Sequence, residues 1–210
     1  MDTNTDFKTE YKKKVIGVTG GMGSGKSTVT EILAGRGSIP IYADKLARIY
    51  TEQGTPIRSE LLSIFGPGVF PDGVTPDRRY IASQVFSDPE KLHKLTSIIH
   101  PLVRKKTLEL IESTTDGTSI VWEVPLLFET GGERICSHTI AVFSTFEIAF
   151  HRVRNRDGLT LEEFTNRMRN QMPIEEKIKR SMFQIENNGS LEDLERNTLK
   201  IFDKIRRDEH

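Results

Sequence analysis

One cysteine, Cys136, stands in 210 residues, so the chain can form no intramolecular disulfide and no cysteine-based metal cluster. That single thiol reads as a buried structural group rather than a nucleophile. No apolar run approaches the roughly 20 residues of a membrane span. There is also no excess of charge of either sign: 30 Lys and Arg balance 30 Asp and Glu. Without a global field to draw nucleic acid or an anionic membrane, any affinity for phosphate must reside in a local site. Aromatic residues make up 8% of the chain, with one Trp, and Trp122 and the phenylalanines are expected in the core rather than as stacking platforms. Residues 1–14 are polar and lack the apolar centre of a secretory signal. They are expected to form a flexible tail, with 12–14 as a solvated charge run, and a cytoplasmic location is the expectation.

What is present is ordinary for a globular chain. Hydrophobic residues are 36% and charged residues 29%, and a chain of this length buries about 70% of its unfolded surface without staples. Residues 15–19 form a short run rich in β-branched residues that ends in glycines, as a buried parallel strand does. A helical pattern follows over 26–34. Further strands are expected at 39–42, 120–124, 139–143 and 181–185, with a closing amphipathic helix over 191–205 started by Ser190 as N-cap. Apolar Leu92, Leu95, Ile98, Ile99, Leu102, Leu108 and Ile111 mark a helical region over 88–113, which Pro101 is expected to kink or divide. Strands alternating with helices predict a doubly wound α/β fold on a parallel five-stranded sheet. Residues 44–113 are too long for one crossover and read as a helical substrate-binding insertion.

The sharpest signal is Gly20-Gly-Met-Gly-Ser-Gly25-Lys26-Ser27, the pattern G-x-x-x-x-G-K-[ST], placed after a predicted strand and at the start of a predicted helix. Glycines let such a loop wrap so that successive backbone N–H groups point at phosphate oxygens, and the helix start adds the positive end of its dipole. Gly20, Gly21, Met22, Gly23, Ser24, Gly25, Lys26, Ser27 and Thr28 are therefore the candidate ATP-binding residues. Lys26 would reach the β- and γ-phosphates and the Ser27 hydroxyl would coordinate Mg²⁺. A ligand-free turn would need neither so many glycines nor a lysine followed by serine. The N-K-x-D and D-x-x-G strings of a regulatory GTPase do not occur, which leaves the small kinases that close an arginine-bearing lid over ATP.

Candidates for that lid follow the fourth strand. Arg152, Arg154 and Arg156 lie together, Asp157-Gly158 makes a turn, and Thr160-Leu-Glu-Glu163 opens another helix as a capping box, on which Arg167 and Gln171 are expected to share a face. A pair of solvated surface helices would look the same. Asp44, just past the second strand on the sheet edge where ligands bind, could accept a proton from an attacking hydroxyl or simply cap the helix beginning at Lys45. His100-Pro101-Leu-Val-Arg104 is expected to break the long helical region. His93, His138, His151 and His210 form no ligand-spaced set, so no zinc site is expected.

Together these pieces resemble the dephospho-coenzyme A kinase family over about residues 15–205. The residues that carry the likeness are the 16–28 loop, Ala43-Asp44 with Ala47-Arg48, Asp77-Arg78, Val85-Phe86, His100-Pro-Leu-Val-Arg104, Val124-Pro-Leu-Leu-Phe-Glu129, Arg156-Asp-Gly-Leu with Arg167 and Gln171, and Asn187-Asn188-Gly189. The resemblance implies transfer of the γ-phosphate of ATP, with Mg²⁺, to the ribose 3′-hydroxyl of dephospho-CoA. It implies Asp44 as catalytic aspartate beside Lys26, Arg156 and Arg167 as lid arginines, and Arg78, His100, Arg104 and Glu129 on the acceptor side. It further implies a core of 15–43, 114–150 and 181–210, a CoA-binding insertion at 44–113 and a lid at 151–180. Two departures stand out. The family usually reads Asp-Ala-Asp where this chain has Tyr42-Ala43-Asp44, and its aspartate before Val-Pro-Leu-Leu is Glu123 here. ATP and dephospho-CoA are the expected partners, with no nucleic acid and no membrane. A monomer is expected, no interface being evident. A kinase for another nucleoside, nucleotide or sugar, or a nucleotide sensor without turnover, remains compatible with the loop alone.

Overall fold

The structure is a computed structural model that describes residues 13–207 apart from Gln53, and Phe86 only in its backbone. Most of the tail predicted at 1–14 therefore lies outside the described residues. Its last two residues are anchored rather than solvated: Lys14 Nζ donates to the carbonyls of Ile205 and Arg206, and the ammonium of Lys13 lies 3.8 Å from Asp116.

The elements in chain order are β1 (Val15–Gly20), α1 (Lys26–Ala34), β2 (Ile39–Tyr42), α2 (Ala43–Ile49), α3 (Arg58–Phe65), α4 (Arg78–Ser87), α5 (Pro89–Ser113), β3 (Ile120–Glu123), β4 (His138–Phe143), α6 (Phe146–Asp157), α7 (Leu161–Arg169), α8 (Ile174–Arg180), β5 (Phe183–Glu186) and α9 (Leu191–Arg206). Residues 13–41 with 114–207 form one compact unit and Tyr42–Ser113 another. Among the described residues no helix is long and apolar enough to cross a membrane.

In the first unit the five strands lie in the order β2-β3-β1-β4-β5, the doubly wound parallel sheet that the alternating pattern predicts. Strand β1 pairs parallel with β3 on one side and β4 on the other, with Val18 opposite Glu123 and Ile140; β4 pairs parallel with β5. The strand order reverses at β1, and in such sheets ligands bind beyond the carboxyl ends of the strands at that point. All six residues of β1 are buried, which requires the continuous apolar run its sequence carries. Ile16, Val18, Leu33, Ile140, Ile185 and Ile205 are among the core residues that join the sheet to its helices. Helix α9 is started by Ser190 as expected: its hydroxyl accepts from the Asp193 amide and the Asp193 carboxylate answers the Ser190 amide. Strand β5 begins at Phe183, not 181, because Ser181 is still the C-cap of α8.

Cys136 sits against the central strand, where a Cβ on Gly17 would come within 2.7 Å of its sulfur. Burial, with the Glu133 carboxylate nearby, pushes this thiol up to about 12.

In the second unit α2, α3 and α4 each contact α5. The buried residues of α5 are Leu95, Ile99, Val103, Thr107 and Ile111, a stripe at strict i, i+4 spacing. Pro101 neither divides this helix nor starts a new one; α5 runs unbroken for 25 residues. Proline removes the bond to the carbonyl four residues earlier. Here both Pro101 and Ser97 are exposed, so water can take up that carbonyl. Tyr50 Oη, beyond α2, donates to the Leu102 carbonyl at 3.3 Å.

Ile205 is 1% exposed in the core at the end of α9. Ile205→Ala is expected to cost roughly 2–5 kcal/mol of stability, read by urea unfolding, with turnover per folded molecule unchanged.

Candidate active site

The loop between β1 and α1 is shaped by what packs around its glycines. Gly20, Gly23 and Gly25 have φ of 148°, 75° and 97°, conformations that side chains disfavour. The space is also closed: a Cβ on Gly20 would stand 2.0 Å from the Val142 carbonyl, and one on Gly25 would stand 2.3 Å from Asn187 Nδ2. Gly25 is the N-cap of α1, with no acidic residue in the first turn to oppose an anion. Lys26 Nζ folds back to donate to the Gly21 carbonyl at 2.7 Å. Ser27 Oγ donates to Glu123 Oε1 at 2.8 Å, and Glu123 is buried at the carboxyl end of β3. A hydroxyl and a carboxylate, both hard oxygen donors, thus share the start of α1.

Side chains from outside the loop brace it. Asn187 Nδ2 donates to the Ser24 carbonyl at 2.8 Å. Arg152 on α6 donates to the Asn187 carbonyl at 3.1 Å and to its side-chain oxygen at 3.3 Å. Asn188 Oδ1 accepts from the amide of Thr145, the N-cap of α6. Met22, at the loop tip, packs with Phe150 and Met168 onto the cluster of Ala149, Val153, Leu159 and Phe164. The arginine-bearing arm of α6 and α7 is thereby built directly on the phosphate loop.

The predicted lid residues fall on that arm. Arg156 is exposed and paired with its neighbour Asp157 at 2.7 Å; this hydrogen bond holds the Asp157 carboxyl below the usual range, and the charge of Arg167 adds to it. Arg167 is half-buried on α7. The capping box at Thr160 forms as expected. Gln171 does not share the α7 face with Arg167, because the helix ends at Arg169 and the chain turns toward α8.

Glu129 is engaged in an ion pair. Its Oε1 accepts from the Met172 amide at 2.8 Å and lies 2.9 Å from Lys177 Nζ. Lys177, fully buried on α8, also donates to the Pro125 carbonyl. Sequence reasoning assigned no role to Lys177, counted Arg152 only among the lid arginines, and named Asn187 only among the residues that carry the family likeness. For Lys177 a signal existed: it lies at i+3 from Ile174 and beside Ile178, on the apolar side of an otherwise charged helix.

The remaining candidates belong to the second unit. Asp44 is exposed in the first turn of α2; it is not the cap, since the N-cap is Tyr42. Arg78 opens α4 behind the N-cap Asp77. His100 and Arg104 do not mark a helix break; they stand one turn apart on α5, both half-buried. Burial holds His100 below its ordinary value of 6.5, which keeps the imidazole neutral at neutral pH.

Two outcomes follow from this geometry. Gly25→Ala should cost about 1–3 kcal/mol through its positive φ. By displacing the loop it should also weaken binding of a fluorescent ATP analogue on the order of 10²-fold. At His100 the folded state resists the proton that the unfolded chain takes up as pH falls through 6.5. Stability in urea should therefore decline below that pH, and His100→Gln should flatten the decline.

Comparison with known proteins agrees with this construction. The family described as Dephospho-CoA kinase matches residues 14–193. A dephospho-CoA kinase from Leptospira interrogans is 40% identical over 194 residues, spanning 92% of this chain and 94% of its own. One from Thermus thermophilus is 43% identical over 182 residues, 87% of each chain. Among solved structures, TT1252 from Thermus thermophilus superposes with a TM-score of 0.78 at 39% identity, covering 92% of this chain and 98% of that one. Dephospho-CoA kinase from Campylobacter jejuni superposes with a TM-score of 0.70 at 29% identity, covering 93% and 98%. A shikimate kinase from Bacteroides thetaiotaomicron, 13% identical with a TM-score of 0.51, shares the fold alone. With a phosphate loop braced from β4, α6 and β5, and a family match that runs from residue 14 to residue 193, this chain belongs to the dephospho-CoA kinase family.

Proposed function

We propose that this chain transfers the γ-phosphoryl group of ATP to the 3′-hydroxyl of dephospho-CoA, giving CoA and ADP. The observation that carries the reading is a glycine loop whose serine is held by a buried carboxylate, in a chain matched to this family almost throughout. In the reaction the acceptor oxygen bonds to the γ-phosphorus, the bridge to the β-phosphate breaks, and the hydroxyl proton leaves.

Backbone amides of 20–28 hold the phosphates, and Lys26, which now lies across the loop on Gly21, swings to the β- and γ-oxygens. Ser27 and Glu123 fit Mg²⁺: the ion takes oxygen donors, keeps several waters and leans on substrate phosphates, so it needs no dedicated cage of carboxylates. When bound there, Mg²⁺ would neutralise charge on the phosphates as it moves to the leaving oxygen. The extra methylene of Glu123, compared with the aspartate usual in the family, is compatible with that role, since its carboxylate already reaches Ser27. Asp44 orients the acceptor hydroxyl or takes its proton. Arg156 and Arg167 offset charge from the arm, a lid spanning about 151–180. Residues 44–113 serve as the CoA-binding insertion, in which Arg78 and Arg104 pair with acceptor anions and neutral His100 hydrogen-bonds. Glu129 contributes by shaping the edge of the acceptor cleft. The enzyme acts as a cytoplasmic monomer.

Mg-ATP should release ADP only when dephospho-CoA is supplied, and mass spectrometry should find a product heavier by one phosphate. Lys26→Ala should lower turnover on the order of 10²–10³-fold and Asp44→Ala roughly 10²–10⁴-fold, while chelation of Mg²⁺ should abolish it. ATP turnover indifferent to dephospho-CoA, or wild-type rates in either variant, would overturn the proposal.

A further inference from the structure

Strand β3, which ends on Glu123, runs into a proline. Val124 still donates to the Val18 carbonyl of β1 at 2.9 Å, but the next residue, Pro125, has no N–H with which to continue the ladder. From there the ladder no longer holds the chain, and side chains bind the Pro125 carbonyl. Thr19 Oγ1, at the end of β1, donates to the Pro125 carbonyl at 3.2 Å, and Lys177 Nζ donates to that same oxygen. The ammonium is also 2.9 Å from Glu129 Oε1, with side-chain exposures of 1% and 21% for the pair. Glu129 Oε1 in turn takes the Met172 amide, at the point where the chain leaves the α7 arm for α8.

A cation so placed is costly to bury, and apolar residues in place of the whole ion pair could fill the same space at no loss of stability. What an apolar residue could not do is hold the Pro125 carbonyl and the Glu129 carboxylate at fixed points. Those two points bracket the loop that leaves Glu123, the carboxylate bonded to Ser27. We propose that Lys177 is a positioning residue for phosphoryl transfer. Its ammonium fixes the 124–129 loop and the end of the α7 arm, and so keeps Glu123 set on Ser27. This rests on the function proposed above.

Two variants separate positioning from stability. Lys177→Met leaves Glu129 facing an apolar side chain and should lower both Tm and kcat. Lys177→Met with Glu129→Gln removes both charges and keeps an acceptor for the Met172 amide. It should recover most of the Tm, yet leave kcat about 10–100-fold below both wild type and Glu129→Gln alone, as loss of an outer-shell partner does. It should also raise the Mg²⁺ concentration needed for half-maximal turnover. A second readout is direct binding of a fluorescent ATP analogue titrated with Mg²⁺, whose midpoint should shift the same way. That titration reports on Lys177 even if wild type fails to phosphorylate dephospho-CoA, an outcome that counts against the proposed reaction instead. Ile205→Ala, destabilised far from the loop, serves as control and should keep its kcat. If the double variant matches wild type in kcat and in both Mg²⁺ midpoints, Lys177 is only structural and the proposal is wrong. Should Lys177→Met not fold, the double variant decides alone.

Discussion

A backbone can turn a row of N–H groups toward one anion only if no side chain stands behind it. In this protein the space behind the loop after β1 is filled by other parts of the same unit. The Val142 carbonyl lies against Gly20, the Ala149 carbonyl against Gly23 and the Asn187 amide against Gly25. Each is close enough to exclude a Cβ, so the glycines are required by packing as well as by φ. The cradle is therefore a property of the assembled sheet and α6, not of eight residues in sequence. Its shape depends on β4 being in register beside β1, and β5 beside β4.

From this constraint the rest of the first unit follows in layers. Because β1 is buried on both faces, it is apolar or glycine up to Thr19, and its polar work begins only toward its carboxyl end. There Thr19, Ser27, Glu123 and Lys177 take over from the backbone ladder, each bonded to a partner far away in the chain. Arg152 and Asn187 form the corresponding brace on the other side. Buried polar groups of this kind are stable only when satisfied, and they specify one arrangement of the loops because few others would satisfy them.

Much of this was legible in the sequence, and the parts that were not share a cause. Strand β1, helix α1 and the capping box at Thr160 announce themselves by local patterns: a β-branched run, a glycine loop, a Thr three residues before a Glu. The five-strand parallel sheet follows from their alternation. Pro101 misled because its local rule was overridden: the buried stripe of α5 continues on the opposite face, and the lost bond falls on the exposed side. Asp44 looked like a cap because caps are read from residue type, while the backbone starts α2 two residues earlier than Lys45, at Ala43. The sequence could mark Lys177 only as a lysine on the apolar side of its helix; its partners, Pro125 and Glu129, lie some fifty residues upstream. Long-range side-chain bonds have no local signature, and the brace of Arg152 on Asn187 was hidden for the same reason.

The lone thiol adds a consequence of a different kind. Cys136 is packed against Gly17 beneath the sheet, with its ionisation pushed up to about 12, so at neutral pH almost none of it is the reactive thiolate. The half-buried sulfur is protected by its protonation more than by its position. A reagent that needs the thiolate therefore spares this sulfur at neutral pH, even though part of the side chain reaches the surface.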